Sequence, residues 1–212
     1  MPIEGLYALT PALDDTGALL DAVGRALDGG VAAVQYRAKT IGAALKVRQA
    51  RQLADLCRRH GATFIVNDDV ELAAQVGADG VHLGRDDATV AVARQALPRM
   101  AIIGVSCYDD IGRALALRAA GADYVAFGSF FPSAVKPLAV HPAPGLLSQA
   151  RRELDCPIVA IGGITVANAP ALIAAGADAI AVITDLFSAP DIRARALVFS
   201  QLFRHAPIPA TS

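Results

Sequence analysis

Two short acidic runs carry the first chemical signal in the sequence, Asn67-Asp68-Asp69 and Arg85-Asp86-Asp87. Each closes an apolar run, Phe64 to Val66 and Val81 to Leu83, and a short helical segment ending at Gly77 lies between them. A strand–helix–strand unit makes such strands parallel neighbours, so both sets of carboxylates meet at one edge of a sheet. Oxygen ligands gathered this way suit a hard cation, Mg2+ before Ca2+. Helix capping by Asp69 and Asp87 is the plainer explanation. It accounts for one acid at each strand end and not for two at both.

Cations stand in comparable places. Arg37 and Lys39 close the Gln35-Tyr36-Arg37-Ala38-Lys39 run, and Lys136 lies in a long proline-rich loop from Gly128 to Pro144. Arginine offers a bidentate fork to phosphate oxygens and lysine a point charge. Three cations facing acids that could hold a metal suggest a diphosphate, whose charge one cation does not neutralise. Gly162-Gly163 and Ile183-Thr184 close two later apolar runs, where backbone N–H groups can approach a phosphate closely. The 128–144 loop has the length of a functional lid, although His141 within it has no evident partner. His82 sits mid-strand among apolar neighbours and is expected inside the protein, its role open. Cys107, beside Ser106, has no adjacent base and reads as a buried thiol rather than a nucleophile.

The elements that position these groups repeat. Gly-Ala-Asp begins at Gly77, Gly121 and Gly176, with a related Gly-Gly-Val at Gly29. Each follows an Ala/Leu-rich helical stretch and precedes a β-branched run with the continuous hydrophobicity of a strand covered on both faces. Eight such strands are expected, the fifth over Ala101–Ser106. Eight helices are expected with them, among them Ile41–His60, Ala88–Leu97, Thr165–Ala175 and a final Ile192–Phe203. Units of about 26 residues predict a single-domain α/β fold, a (β/α)8 TIM barrel over residues 1–204, with a frayed tail over 205–212. No Gly-x-Gly-x-x-Gly follows the first strand, which argues against an open dinucleotide-binding sheet. In a barrel the polar groups above fall on the rim where the strands end, the usual place for an active site.

The 212 residues carry a formal net charge of -1 and are 54% hydrophobic, with three cysteines. The balance gives no footprint for nucleic acid or an anionic membrane. Cys57, Cys107 and Cys156 lack metal or disulfide spacing and suit a cytoplasmic protein. Met-Pro-Ile-Glu-Gly lacks the pattern of a secretory signal. The uncharged stretch from Pro157 to Ala177 is broken by Gly162-Gly163 and Pro170, so it reads as strand, turn and helix rather than a membrane span.

The motifs QYRAK (35–39), VNDD (66–69), GVHLGRDD (80–87), IGVS (103–106), FFPSAVKP (130–137) and IGGIT (161–165) together resemble the thiamine-phosphate synthase family, in family order and over nearly the whole chain. The resemblance implies a TIM barrel that joins a hydroxymethylpyrimidine diphosphate to a thiazole phosphate, carboxylated or not, and releases pyrophosphate. By motif match, Gln35, Tyr36, Arg37, Ala38, Lys39, Asn67, Ser106 and Lys136 would bind the pyrimidine diphosphate. Arg37, Lys39, Ser106 and Lys136 among them would act in catalysis. Asp68 and Asp87 would hold Mg2+. Ser133, Ala134, Val135, Gly163, Ile183 and Thr184 would hold the thiazole phosphate. The reaction implied is dissociative: the C–O bond breaks first, and the thiazole nitrogen captures a pyrimidine-stabilised cation.

The chain departs from the family's usual pattern at Val135, where a hydroxyl is lost, at Thr184, where serine is frequent, and at Arg85, where glutamine is frequent. Two relatives of this reading stay in view. A thiazole tautomerase on the same barrel typically has a histidine where this chain has Ser129. A non-catalytic barrel that only binds thiamine phosphates would have no use for the acid and cation set. A third reading, a phosphosugar epimerase, requires a general base at a strand end. The partners expected are small molecules, and the oligomeric state is open.

Overall fold

Eight parallel strands close on themselves in sequence order, β1 to β8, with β8 hydrogen-bonded back to β1. They are β1 (Gly5–Leu9), β2 (Ala33–Tyr36), β3 (Thr63–Asn67), β4 (Gly80–Leu83), β5 (Ile102–Tyr108), β6 (Tyr124–Phe127), β7 (Ile158–Ile161) and β8 (Ala179–Val182). The helices are α1 (Thr16–Asp28), α2 (Ala43–His60), α3 (Val70–Val76), α4 (Val90–Ala96), α5 (Ile111–Ala119), α6 (Gly145–Glu153), α7 (Ala169–Ala174), α8 (Thr184–Phe187) and α9 (Ile192–Arg204). This computed structural model describes residues 3–38, 41–132 and 142–204. The expected closed (β/α)8 architecture is the observed one. Lys39, the 133–141 segment with Ser133, Ala134, Val135, Lys136 and His141, and the 205–212 tail lie outside the described residues.

The continuous hydrophobicity of the strands divides between two cores, because successive side chains point to opposite faces. Tyr7, Leu9, Ile65, Tyr124, Val159 and Ala181 fill the barrel interior. Their neighbours Leu6, Ala8, Val34, Phe64, Val66 and Ile158 pack outward against the helices. Small residues make room for large ones inside. A Cβ on Gly104 of β5 would lie 1.9 Å from Cζ of Tyr124, so only glycine lets that ring occupy the barrel centre.

The Gly-Ala-Asp repeats have a structural meaning beyond the turn. Asp79 donates its backbone N–H to Phe64 O at 2.9 Å, and its Oδ2 accepts from Phe64 N at 2.7 Å. Asp123 clasps Ile103 the same way (2.7 and 2.6 Å), and Asp178 clasps Ile158 (2.8 and 2.7 Å). Arg94 on α4 pairs with Asp123 and donates to Gly121 O, while Arg151 on α6 pairs with Asp178 and donates to Gly176 O. Each acid thus ties the start of its own strand to the start of the preceding one at the rim where strands begin.

Several boundaries differ from those expected. Helix α4 starts at Val90 because the Thr89 hydroxyl accepts from Val92 N at 3.3 Å. Strand β5 runs on to Tyr108, past Ser106, through a register shift against β6. Helix α7 begins at Ala169, not Thr165. Asn168 accepts from Thr165 N (2.8 Å) and donates to Gly163 O (3.1 Å), which holds the preceding turn out of the helix. The short α8 has no counterpart in the expected elements; four residues are too few for a periodic signal.

Candidate active site

The strand-end rim opens on a cavity of about 590 Å3, within the range of small-molecule sites. Gln35, Arg37, Asn67, Asp68, Asp87, Ser106, Gly163, Ile183 and Thr184 all line it. The acids, one of the cations and the two glycine-and-threonine strand ends read from the sequence therefore share one space. Ala38 is not among the lining residues. Tyr36 points the other way: it belongs to the outer core, and its hydroxyl donates to Gln49 Oε1 at 2.9 Å. Its side chain supports the β2–α2 packing from which Gln35 and Arg37 project.

The two acidic runs resolve into separate tasks. Asp68 adopts φ 64, a left-handed conformation that aspartate tolerates better than most side chains. Its N–H is fixed by His82 O at 2.8 Å. That turn parts two consecutive carboxylates. Asp68 faces the cavity, whereas Asp69 caps α3, accepting from Leu72 N at 2.9 Å, and pairs with Lys46 at 2.7 Å. Burial pushes the Asp69 carboxyl up, but the Lys46 ammonium and the Leu72 N–H outweigh it and hold the group below the usual range. Capping therefore explains Asp69. It does not explain Asp87, since the cap of α4 is Thr89. Instead Asp87 Oδ2 accepts from Gly84 N at 2.6 Å, which closes the β4–α4 loop and keeps the carboxylate at the cavity wall.

Among the described residues, no group of three or more His, Cys, Asp or Glu side chains could hold a metal ion. Magnesium does not require one: it is commonly bound through one or two carboxylates, with waters and substrate phosphates completing its shell. Asp68 and Asp87 supply hard oxygen donors only, which is the right chemistry for such a shared site.

Below the rim runs a chain of hydrogen bonds that the sequence reading did not foresee. Gln35 Nε2 donates to Tyr7 Oη, Tyr7 Oη meets Tyr124 Oη, His82 Nδ1 meets Tyr124 Oη, and His82 Nε2 meets Ser106 Oγ, all at 2.9 Å. The His82 ring stacks on Tyr124 with centroids 5.6 Å apart. Burial pushes the Tyr7 phenol well above its ordinary range, against the hydrogen bonds of Tyr124 and Gln35, and burial raises Tyr124 likewise. Both phenols therefore stay protonated.

With a neutral imidazole, proton counting limits the chain to two directions. If Tyr7 donates to Tyr124 and Tyr124 to His82, then His82 donates to Ser106, leaving the serine proton for the cavity. In reverse order, Ser106 donates to His82 and the Tyr7 proton is the one left over. Either way the floor presents neutral donors and acceptors, suited to the edge of an uncharged heterocycle. The period-two pattern was the available signal: Tyr7, Tyr124 and His82 all occupy inward strand positions, where a polar tip has to find a partner.

On the far wall, Gly162 (φ 104) and Gly163 (φ 62) are required by packing as well as by the turn. A Cβ on Gly162 would lie 2.0 Å from Ser129 Oγ, and one on Gly163 would lie 2.4 Å from Pro132 O. Ile183 and Thr184 stand beside them at the start of α8. The acid of that turn, Asp185, is engaged by Arg195 at 2.8 Å and by Val166 N at 3.2 Å. Cys107 is buried as expected, and burial pushes its thiol up to about 12, so it is no nucleophile at neutral pH.

A family model described as thiamine monophosphate synthase matches residues 6–186. A thiamine-phosphate synthase of Aromatoleum aromaticum is 54% identical over 201 residues, covering 95% of this chain and 97% of that protein. Another from Thiobacillus denitrificans is 54% identical over 203 residues, covering 96% of each. Among solved structures, a thiamine phosphate pyrophosphorylase from Pyrococcus furiosus superposes with a TM-score of 0.85 at 32% identity, covering 94% of this chain and 95% of that one.

Proposed function

The chain belongs to the thiamine monophosphate synthase family and is a transferase of the thiamine-phosphate synthase type, and from that premise we propose how its cavity performs the coupling. The substrates are a hydroxymethylpyrimidine diphosphate and a thiazole phosphate; the products are thiamine phosphate and pyrophosphate. One observation carries the reading. A single cavity has a hydrogen-bonding floor that includes Gln35, His82 and Ser106, an acid-and-guanidinium rim on one side, and a glycine-lined wall on the other.

The floor takes the pyrimidine. Gln35 and Ser106, oriented by Tyr7, Tyr124 and His82, supply directional hydrogen bonds to the ring edge without placing a charge beneath it. The diphosphate then lies toward Arg37, Asn67, Asp68 and Asp87, with Lys39 and Lys136 assigned to it by motif alone. Mg2+, held by Asp68 and Asp87, would supply electrostatic stabilisation of the charge that develops on departing pyrophosphate. Arg37 contributes to the same stabilisation as a fixed donor that needs no reorganisation during the step.

The thiazole phosphate sits against Gly163, Ile183 and Thr184, with the 133–135 segment assigned by motif. Anchoring that phosphate places the ring nitrogen near the pyrimidine methylene, so capture becomes effectively unimolecular. The pyrimidine-stabilised cation must meet the thiazole before water, and the apolar walls formed by Leu9, Val159 and Ile161 limit hydration. No protein nucleophile takes part, in keeping with the protonated Cys107 thiol.

The test is product formation by the purified protein with both substrates and Mg2+, each omitted in turn. Thiamine phosphate appearing only in the complete mixture supports the proposal. Isomerisation of a thiazole carboxylate phosphate without coupling contradicts it.

A further inference from the structure

Arg85 is the second guanidinium lining the cavity, at the end of β4, and it is exposed to solvent. Asp86 and Asp87 follow it directly, yet among the described residues it forms no ion pair with a carboxylate. Its Cζ lies instead 4.6 Å from the centroid of the Tyr108 ring. That distance is within cation–π range, and a stacked guanidinium keeps its N–H edge available to a further partner.

The Tyr108 platform is held from several sides. Its φ of 58 is uncommon for a bulky side chain, it follows the register shift at the end of β5, and its carbonyl accepts from Gly128 N at 2.9 Å. The ring lines the same cavity.

Strand order supplies the rest of the argument. Arg37 follows β2, Asp68 follows β3, Arg85 and Asp87 follow β4, and Tyr108 ends β5, in consecutive places around the barrel. The two guanidiniums therefore flank Asp68. Asp68 and Asp87 offset the charge of a divalent cation between them, so the negative charge of a diphosphate has to be met by other cations. Among the described residues Arg37 meets it from one side, and Lys39 and Lys136 are assigned to it by motif.

We infer that Arg85, set in place by Tyr108, is a diphosphate-binding residue that clamps phosphate oxygens from the side opposite Arg37. This assignment rests on the diphosphate reading of the rim given above. Arg85 is the binding group, and Tyr108 is a positioning residue that reduces the freedom the guanidinium loses on binding.

Calorimetric titration of inorganic pyrophosphate with Mg2+ tests the pair and the reading beneath it separately. Wild-type protein binds the anion, and Arg85→Gln binds it about tenfold more weakly, the effect of losing one charge-assisted contact. Arg85→Lys, which keeps the charge but not the planar stack, falls between them. Tyr108→Leu weakens binding, while Tyr108→Phe, which retains the ring, restores it. Melting temperatures of the Arg85 variants stay at the wild-type value because the side chain is exposed.

Equal affinity in wild type and Arg85→Gln would overturn the assignment and leave the diphosphate site standing. Absence of binding in the wild type would remove both. Tyr108→Phe behaving like Tyr108→Leu would remove the platform role, and with it the preorganised clamp.

Discussion

Aspartates stand at both ends of this barrel and meet opposite fates. At the rim where strands begin, Asp79, Asp123 and Asp178 each spend Oδ2 on a backbone N–H of the preceding strand, and Arg94 and Arg151 engage the last two. At the rim where strands end, Asp68 and Asp87 line an open cavity, with the Asp68 N–H held by His82 O and the Asp87 carboxylate by Gly84 N. The same side chain is structural where it ties neighbouring strands together and chemical where it lines the cavity. This matches the general division of TIM barrels into a stabilising face and a catalytic one.

The sharpest way to break that comparison is Asp68→Asn. Asparagine tolerates the positive φ, so the backbone is kept while the charge is lost. Turnover should fall by about a hundredfold, on the scale of losing an electrostatic contact to the transition state, with melting unchanged. Pyrophosphate release near the wild-type rate would show that Asp68 is no more chemical than its counterparts below.

Asp178→Ala should do the reverse. It leaves the Ile158 N–H and Arg151 without their carboxylate and costs about 1–3 kcal/mol of stability, measured by denaturant unfolding, with turnover per folded molecule retained. A loss of turnover without a loss of stability would contradict the division of labour.

Tyr124→Phe probes the floor that joins the two ends. Removing its hydroxyl interrupts the chain between Tyr7 and His82 and costs about 1 kcal/mol. It should also raise KM for the pyrimidine diphosphate while leaving KM for the thiazole phosphate in place. Equal changes in both would detach the floor from the pyrimidine.

The smallest effect is expected in alkali. Burial, aided by the Asp79 charge, pushes the Cys57 thiol from 9.0 to about 12, and burial does the same for Cys107. The unfolded chain releases these protons first. Stability is therefore full below the ordinary thiol value and declines as pH rises from 9.0 toward about 12. Denaturant midpoints at rising pH, compared with those of Cys57→Ala, measure it, and a flat profile in the wild type would oppose the assignment.

Much of this arrangement was legible in the residues. The Gly-Ala-Asp repeats announced parallel βα units, and the acidic runs after Val66 and Leu83 marked the rim. What escaped was whatever depends on distant partners. Nothing local in Asp69 says that Lys46, 23 positions earlier, will pair with it. Tyr7 and Tyr124 are 117 positions apart, and their meeting depends on Gly104 leaving room at the barrel centre. The acid of each Gly-Ala-Asp repeat was given no role, because its acceptor role involves a strand about 15 to 20 residues back. Tyr36 was grouped with its motif neighbours, although strand alternation turns its side chain to the outer face.

The most direct test of the two-rim account is one paired measurement, turnover and melting temperature on Asp87→Ala and Asp123→Ala. Asp87→Ala should lose turnover by orders of magnitude, only partly restored by excess Mg2+, and melt lower by no more than the loss of one partly exposed hydrogen bond to Gly84 N. Asp123→Ala should melt lower and turn over normally once its folded fraction is taken into account. If both variants lose stability and activity together, the aspartates at the two ends do the same work, and the account is wrong.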